Sequence, residues 1–352
     1  MHVIRARNVN DAFPQGLRLV RDEGVPVSPR GMRTLEFPDV VATEYAHPNE
    51  CVLFDPTRNI NPFFHFFEAL WILAGRRDVK FLTHFNKKMA DFSEDGESYH
   101  AAYGHRLRKH HLHATALDDP ETRFKPMDQI REVVALLRRQ PDTRRAVLQI
   151  WDAPHDLNTE SKDHPCNDMV FLSLRDGQLH MTVCCRSNDI IWGCYGTNIV
   201  QFSMLQKLLC FMLGCKIGTL VQISNSFHVY TQQVSGEPMG PWERLLNSGS
   251  MRMPVYNHYI NGQVRDAGLG YHVDRCTGGR DPLDEIEDFV KAVDEYLTND
   301  HIAEEDFDVR PYAHPVLYDT GHMLARFWKR HLNWRKDKTQ RSLAALDQIV
   351  PF

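Results

Sequence analysis

A long alternating hairpin constrains this chain more than any other feature. In MVFLSLRDGQLHMTVCCRS, apolar residues alternate with others on both sides of Arg175-Asp176-Gly177-Gln178. A period of two is the mark of a strand with one buried face, and Asp-Gly between two such runs is the signal of a tight hairpin turn. The segment therefore predicts an antiparallel pair. Two apolar helical runs accompany it. NPFFHFFEALWILAG is entered through Asn61-Pro62 and ends near Gly75, and in NIVQFSMLQKLLCFMLG the residues Phe202, Leu205, Leu208, Leu209 and Met212 favour core packing.

The remaining patterns fill in around these. Residues 1 to 24 predict a short strand and an initial helix or turn, GVPVSPRGMRTLEF contains a Pro/Gly-marked loop, and VVATEY and CVLFD predict strands. Residues 76 to 110 mix a charged helix with a Gly-marked turn, residues 109 to 125 are polar and irregular, and MDQIREVVALLRR predicts a helix before the strand AVLQIW. In the C-terminal third, DPLDEIEDFVKAVDEYL and HMLARFWKRHLNWRKDKTQRSLAALDQI predict helices that pack rather than act.

With 352 residues the chain can bury a sizeable core. Its net charge of −5 comes from 41 basic and 46 acidic residues with no long basic tract, which argues against a nucleic-acid groove and suits a free nucleotide better. Eight cysteines in a chain this long do not make a disulfide scaffold. MHVIRARNVNDAF lacks an apolar signal run and no window approaches a membrane span, so a cytoplasmic protein is expected, in the host cytoplasm if a phage encodes it.

Cys51, Cys184, Cys185, Cys194, Cys210 and Cys215 lie in or beside apolar runs, where cysteine serves as a small hydrophobe; Cys166 and Cys276 do not. Cys166 follows Pro165 and opens the strand MVFLSL, which would hold its backbone still. As a nucleophile it needs a thiol pKa lowered by nearby guanidinium groups. No metal-type cysteine or histidine spacing competes for it, and no metal is expected. Other polar residues stand out with two readings each. Glu68, inside FFHFFEALWIL, either faces a polar pocket or lies at a wet edge. Arg30 and Arg33 sit on a loop and Arg144-Arg145 at a strand entrance, facing solvent or a phosphate. Asn198 begins a helix as a cap or a ligand. His228 and Tyr230 point to one face of a strand, at the surface or in a site.

Pro165-Cys166, Arg186-Ser187-Asn188-Asp189, the stretch from Gly193 to Asn198, and His228-Val229-Tyr230 occur in one order. Together they resemble the thymidylate synthase and pyrimidine-nucleotide hydroxymethylase family. That resemblance implies an α+β fold in which a large mixed β-sheet is flanked by helices and two such sheets pack back to back in a homodimer. The whole chain would then be a single catalytic domain, with a less typical helical elaboration from about residue 240 onward. The resemblance also assigns roles. Cys166 would attack C6 of the pyrimidine. Arg186, Arg30 (with Arg33 as substitute) and, across the dimer, Arg144 and Arg145 would bind phosphate. Ser187, His228 and Tyr230 would face the sugar, and Asn198 the base. Glu68 lies in a Glu-x-x-Trp-x-Leu helix with Trp71 and Leu73; it would organise water and relay protons, with Trp71 on the folate side. Tyr103, in a Tyr-Gly-x-x-x-Arg segment, and Asp189 join the catalytic group, and Asp189 also faces the cofactor.

Four departures bear on the reaction. Met89 stands on the cofactor side where a synthase carries tryptophan, although Phe92 is another aromatic candidate. Asn167 replaces a histidine after the nucleophile. The step from Gly193 to Asn198 is five residues where the family usually has four, and QIVPF only loosely resembles a synthase tail. The expectation is a hydroxymethylase using 5,10-methylenetetrahydrofolate as carbon donor, with water completing the reaction. The Gly-x-Tyr-Gly-x-Asn pattern leans to dCMP and the asparagine itself to dUMP, with dCMP preferred. The alternatives are a thymidylate synthase, a deoxycytidylate C5-methyltransferase and, remotely, a non-catalytic nucleotide-binding protein.

Overall fold

The structure, a computed structural model, describes residues 1–114 except 56 and 59, then 124–232, 242–247, 280–303, 307, 321, 324–333 and 335–336. The strands among them are β1 His2–Ala6, β2 Val25–Val27, β3 Arg33–Phe37, β4 Val41–Tyr45, β5 Leu112–Ala114, β6 Phe124–Pro126, β7 Val147–Gln149, β8 Asn167–Arg175, β9 Gln178–Cys185, β10 Asn188–Asp189, β11 Lys216–Ser224 and β12 Phe227–Gln232. The helices that position the site are α1 Val9–Glu23, α2 Pro62–Leu73, α3 Val79–Thr83, α4 Tyr103–His105, α5 Gln129–Arg139, α6 Ala153–Asp156 and α7 Ile199–Leu213.

Asp176 and Gly177 adopt φ of 49° and 72°, the two positive values that a two-residue turn matched to strand twist requires. They close the expected hairpin of β8 and β9. This pair lies inside a six-stranded mixed sheet of order β1-β4-β11-β9-β8-β7, in which β1–β4 and β11–β9 are parallel and the other neighbours antiparallel. A second sheet of order β10-β12-β3-β2 carries the histidine and tyrosine of the His-Val-Tyr motif. The α+β class and the large mixed sheet flanked by helices agree with the sequence.

Both predicted apolar helices form. Asn61 caps α2 by accepting the Phe64 amide at 3.1 Å, and Pro62 occupies the first turn, where its missing N–H costs nothing. α7 is buried on every side from Ile199 to Cys210, which explains its lack of a polar face. It packs against α2, bringing Glu68 and the start of α7 together.

Two local expectations are corrected. CVLFD forms no strand, because its backbone is satisfied by a side chain instead of a neighbouring strand. Asn10 donates to the Val52 carbonyl at 3.0 Å and accepts the Phe54 amide at 2.8 Å. The polar stretch after Lys109 is not wholly irregular, since its ends pair as the antiparallel ribbon β5–β6. Cys276 and QIVPF lie outside the described residues.

The chain divides into units Met1–Val273 and Asp274–Phe352. Within the second, helix Pro282–Thr298 is capped by Asp281, and residues 324–333 are helical. Buried Lys329 donates to the carbonyls of Tyr296, Asn299 and Ile302 at 2.7, 2.9 and 2.9 Å. A cation there satisfies carbonyls that the helix end leaves open. Among the described residues no helix is long and apolar enough to cross a membrane.

Candidate active site

Cys166 is held from both sides of its backbone, just ahead of β8. Its amide donates to the Tyr103 hydroxyl at 3.2 Å, and its carbonyl accepts the Arg186 amide at 2.9 Å. The Asn167 amide nitrogen also donates to the Tyr103 hydroxyl, at 3.2 Å, while the Asn167 Oδ1 is buried with no protein partner. Burial drives the Tyr103 pKa well up, so it stays a neutral phenol that accepts two hydrogen bonds and keeps its own proton to donate. Gly104 makes this approach possible. A Cβ there would lie 2.1 Å from the Ile72 carbonyl oxygen of α2.

The expected lowering of the Cys166 pKa is not found. Burial pushes the thiol up, and Arg186 and Arg30 offset this only in part, while Asp163 and Asp168 push it further up. Arg186 is clamped to the backbone before the cysteine: Nε donates to the Pro165 carbonyl at 2.8 Å and Nη2 to the His164 carbonyl at 3.4 Å. Its guanidinium lies 5.5 Å from the Trp151 ring centroid. Asp168 is an addition that the motifs did not single out. Burial raises its carboxyl to about 6, and its Oδ1 is buried with no protein partner.

Arg30 sits at the tip of the turn between β2 and β3 with φ of 53°, a left-handed conformation that a non-glycine residue adopts at some cost. Its charge reaches both Cys166 and Tyr230. Arg33 lies on β3 and donates to Gln232 at 3.3 Å, so the structure brings Arg30 rather than Arg33 to the thiol. Arg144 and Arg145 are exposed just before β7, with Arg145 donating to Gln140 at 2.8 Å. Ser187 is half-buried, and its carbonyl accepts from the Cys185 thiol at 3.1 Å.

Asp189, His228 and Glu36 are cross-strand neighbours on β10, β12 and β3. Ser226 donates to Glu36 at 2.6 Å, so in its remaining contact, 3.0 Å from His228 Nδ1, it accepts a hydrogen bond from the imidazole, which favours the Nδ1–H tautomer. His228 is buried and meets Tyr230 edge-on at 5.2 Å, which removes the surface reading of this pair. Asp189 Oδ1 accepts the amides of Ile191 and Trp192 at 2.8 and 2.6 Å, while its Oδ2 is buried without a protein partner. Burial raises this carboxyl; His228 and Arg58 pull it back.

The extra residue between Gly193 and Asn198 has a simple structural consequence. Ile190–Asn198 is wound as a π-helix, whose i to i+5 repeat absorbs one added residue per turn. Gly193 and Asn198 thereby become neighbours one turn apart, with Asn198 Nδ2 3.3 Å from where a Cβ on Gly193 would be. Asn198 has helical φ and ψ and caps nothing. Its Nδ2 donates to Asn188 Oδ1 at 3.1 Å, and Asn188 in turn donates to Ser224 at 2.9 Å, which ties the amide into a buried chain of hydrogen bonds.

Glu68 is buried and does not lie at a wet edge. Gln201 donates to its Oε2 at 2.8 Å, the Thr197 side chain also bonds it, and burial lifts its carboxyl to about 7. Trp71 is buried beside it, with its indole N–H on the Asp78 carbonyl at 3.1 Å and its ring edge-on to Tyr99. Tyr99 donates to the Met89 carbonyl at 3.0 Å; Met89 is half-buried in the turn Lys87–Phe92 and Phe92 is exposed. Arg58 is a second addition. Its Nε donates to the Ile191 carbonyl at 2.8 Å and its guanidinium covers the half-exposed Trp192 ring at 4.0 Å. The local signal was Asp55-Pro-Thr-Arg, whose carboxylate accepts the Thr57 and Arg58 amides at 2.8 and 3.1 Å in a side-chain turn.

Comparison with known proteins identifies the family. The chain is 41% identical over 233 residues to a deoxyuridylate hydroxymethyltransferase of Pseudomonas phage M6, covering 66% of this chain and 62% of that protein. It is 42% identical over 215 residues to a deoxyuridylate hydroxymethyltransferase of Bacillus phage SP01, covering 61% of this chain and 55% of that one. The aligned part thus spans about three fifths of the length of these phage relatives. A putative thymidylate synthase of Methanosarcina barkeri is 28% identical over 229 residues, 65% of this chain and 89% of its own. The family model described as thymidylate synthase matches residues 18–240, which include each motif around Cys166, and the chain belongs to that family.

Proposed function

We propose that the protein is a folate-dependent deoxyuridylate 5-hydroxymethylase. The observation that carries this reading is the grouping of Tyr103, Asn167, Arg186 and Arg30 around Cys166, with the near-neutral Glu68 on α2 and Asn198 at the end of the π-helix, in a chain 41% identical to a phage deoxyuridylate hydroxymethyltransferase. The preference for dCMP is replaced by dUMP. Both phage relatives are named for deoxyuridylate, and the π-helical turn accounts for the extra residue without a new base edge.

Arg30 and Arg186 receive the phosphate, and His228 and Tyr230 receive the sugar hydroxyl. The Cys166 sulfur bonds C6 and gives up its proton, leaving C5 nucleophilic. Burial keeps the free thiol protonated, so attack is coupled to substrate binding beside Arg186. Methylenetetrahydrofolate, when bound, would supply the one-carbon unit to C5, with the C5 proton and tetrahydrofolate leaving before water adds. The buried, unpartnered Asp189 Oδ2 fits an N–H donor of such a ring, and the half-exposed Trp192 under Arg58 offers it an aromatic face. Glu68, at about 7, both gives and takes a proton near neutrality. Asn167 Oδ1 and Glu68 orient the water that adds to the exocyclic carbon on C5, after which the C6–sulfur bond breaks.

A homodimer completes the phosphate site in this reading. Val147, Phe171, Thr182 and Val221 form a cross-strand row on the large sheet. Val147 and Phe171 are 40% and 42% exposed, and Arg144 and Arg145 precede β7 at that edge, from which, in this reading, they reach a partner's phosphate. The test is turnover of dUMP with methylenetetrahydrofolate in ¹⁸O-labelled water. A 5-hydroxymethyl product carrying the label supports the reading; an unlabelled 5-methyl product refutes it.

A further inference from the structure

Six histidines from the stretch between His100 and His164 crowd together, a concentration the nucleotide chemistry does not use. Their rings run from His105 through His110, His155 and His100 to His164, with His111 branching from His110, at successive centroid separations of 4.5 to 6.0 Å. Two aspartates enter the cluster and create two groups with metal-ligand geometry among the described residues: His100, Asp156, His164 and His110, His111, Asp152.

The first group is already closed. Arg106 spans both oxygens of Asp156 at 2.7 Å, the Asp152 amide adds a bond at 2.8 Å, and His100 takes a further contact at 2.8 Å. A buried guanidinium occupies the place a cation would take.

The second group is open. Asp152 begins α6 yet makes no capping bond with its side chain, which instead lies 2.7 Å from His110 Nε2. An aspartate at this position ordinarily accepts a helix amide. His111 bonds the Gln149 backbone, while its Nε2 is buried without any partner. The Gln149 bond therefore uses Nδ1, leaving the buried Nε2 lone pair without a donor. A ring nitrogen donating to a backbone carbonyl is how proteins orient the other nitrogen toward a metal. The three ligand atoms lie within 4.8 Å of one another, against about 3.4 Å for ligands on a tetrahedral ion with bonds of about 2.1 Å, so a modest contraction suffices.

We propose that His110, His111 and Asp152 bind a divalent transition metal of the zinc class, with the remaining position open to solvent. Two imidazoles and one carboxylate suit such an ion better than magnesium or calcium, which favour all-oxygen ligands. Adjacent histidines at 110 and 111 and an aspartate at 152 form no recognisable spacing motif, which is why no metal signal is legible in the sequence. The ion adds a tie between the segment continuing from Tyr103 and the segment leading into Cys166, two elements that also meet through Arg106 on Asp156 and at the Tyr103 hydroxyl.

The test uses the full chain, stripped of metal by chelator and dialysed, titrated with Zn(II) by calorimetry and with Co(II) by visible absorption. One site per chain is expected, with a Co(II) spectrum of nitrogen and oxygen ligands. Zn(II) at 100 times its Kd should shift the folding equilibrium about a hundredfold. His111→Gln and Asp152→Asn should each weaken Zn(II) at least about tenfold and remove the thermal shift, while exposed His47→Gln changes neither. Absence of a stoichiometric site in the wild-type chain overturns the proposal. So does binding that survives both ligand substitutions, which would mark adventitious surface histidines. If either variant misfolds by circular dichroism, His110→Gln supplies the same comparison.

Discussion

Replacing Glu68 with glutamine should stabilise the protein while damaging catalysis, and the pH dependence should identify the cause. Burial raises the carboxyl from 4.5 to about 7 in the folded chain. At about 1.4 kcal/mol per pH unit, that displacement corresponds to roughly 3 kcal/mol. The sign follows from proton binding. Between these two pH values the folded state holds the proton that the unfolded state has lost, so stability is full below pH 4.5 and falls as pH rises through about 7. The Glu68→Gln side chain is isosteric, keeps an oxygen to accept from Gln201, and does not ionise. The wild-type minus variant difference should therefore move by roughly 3 kcal/mol in the variant's favour between pH 4.5 and 8. Urea unfolding of both proteins across that range measures it directly, because every other titration cancels in the difference. Turnover at pH 7 should fall about 10²-fold or more, the usual scale for loss of an acid–base group, with nucleotide affinity little changed. Parallel stability curves would show that Glu68 titrates normally and would remove it from the proton relay.

Cys166→Ala should abolish turnover and leave dUMP binding measurable by calorimetry, because the arginines survive; residual turnover near wild type would remove the nucleophile. Gly104→Ala drives a methyl to 2.1 Å from the Ile72 carbonyl oxygen, so thermal unfolding should report a loss of about 1–3 kcal/mol and kcat should fall as Tyr103 leaves Cys166; unchanged stability would contradict this packing. Phe171→Asp places a charge in the exposed row of the large sheet, and sedimentation should convert a wild-type dimer to monomer with weakened phosphate binding. A wild-type monomer at working concentration would refute the shared-arginine assignment.

What the sequence revealed was local. The β8–β9 hairpin, α2 and α7 each carry their period and their turn or cap within a few residues, so neighbouring side chains suffice to define them. The site depends on approaches between distant segments: Tyr103 against Cys166, Arg58 against Trp192, Glu36 beside His228. Family motifs identified many of these residues without disclosing who touches whom. The failures have the same origin. CVLFD resembles a strand, but Asn10 satisfies its backbone. The Cys166 pKa depends on how deeply the thiol is buried relative to its arginines, which no spacing encodes. The extra residue before Asn198 is taken up in a π-helical turn, which its spacing alone does not show.

The central claim is that water, rather than a folate hydride, completes the reaction on a deoxyuridylate. Stoichiometric incubation of the enzyme with dUMP and methylenetetrahydrofolate, followed by product mass and folate oxidation state in the same sample, tests it most directly. The account predicts 5-hydroxymethyl-dUMP with tetrahydrofolate and no dihydrofolate; a 5-methyl product with one equivalent of dihydrofolate would contradict it.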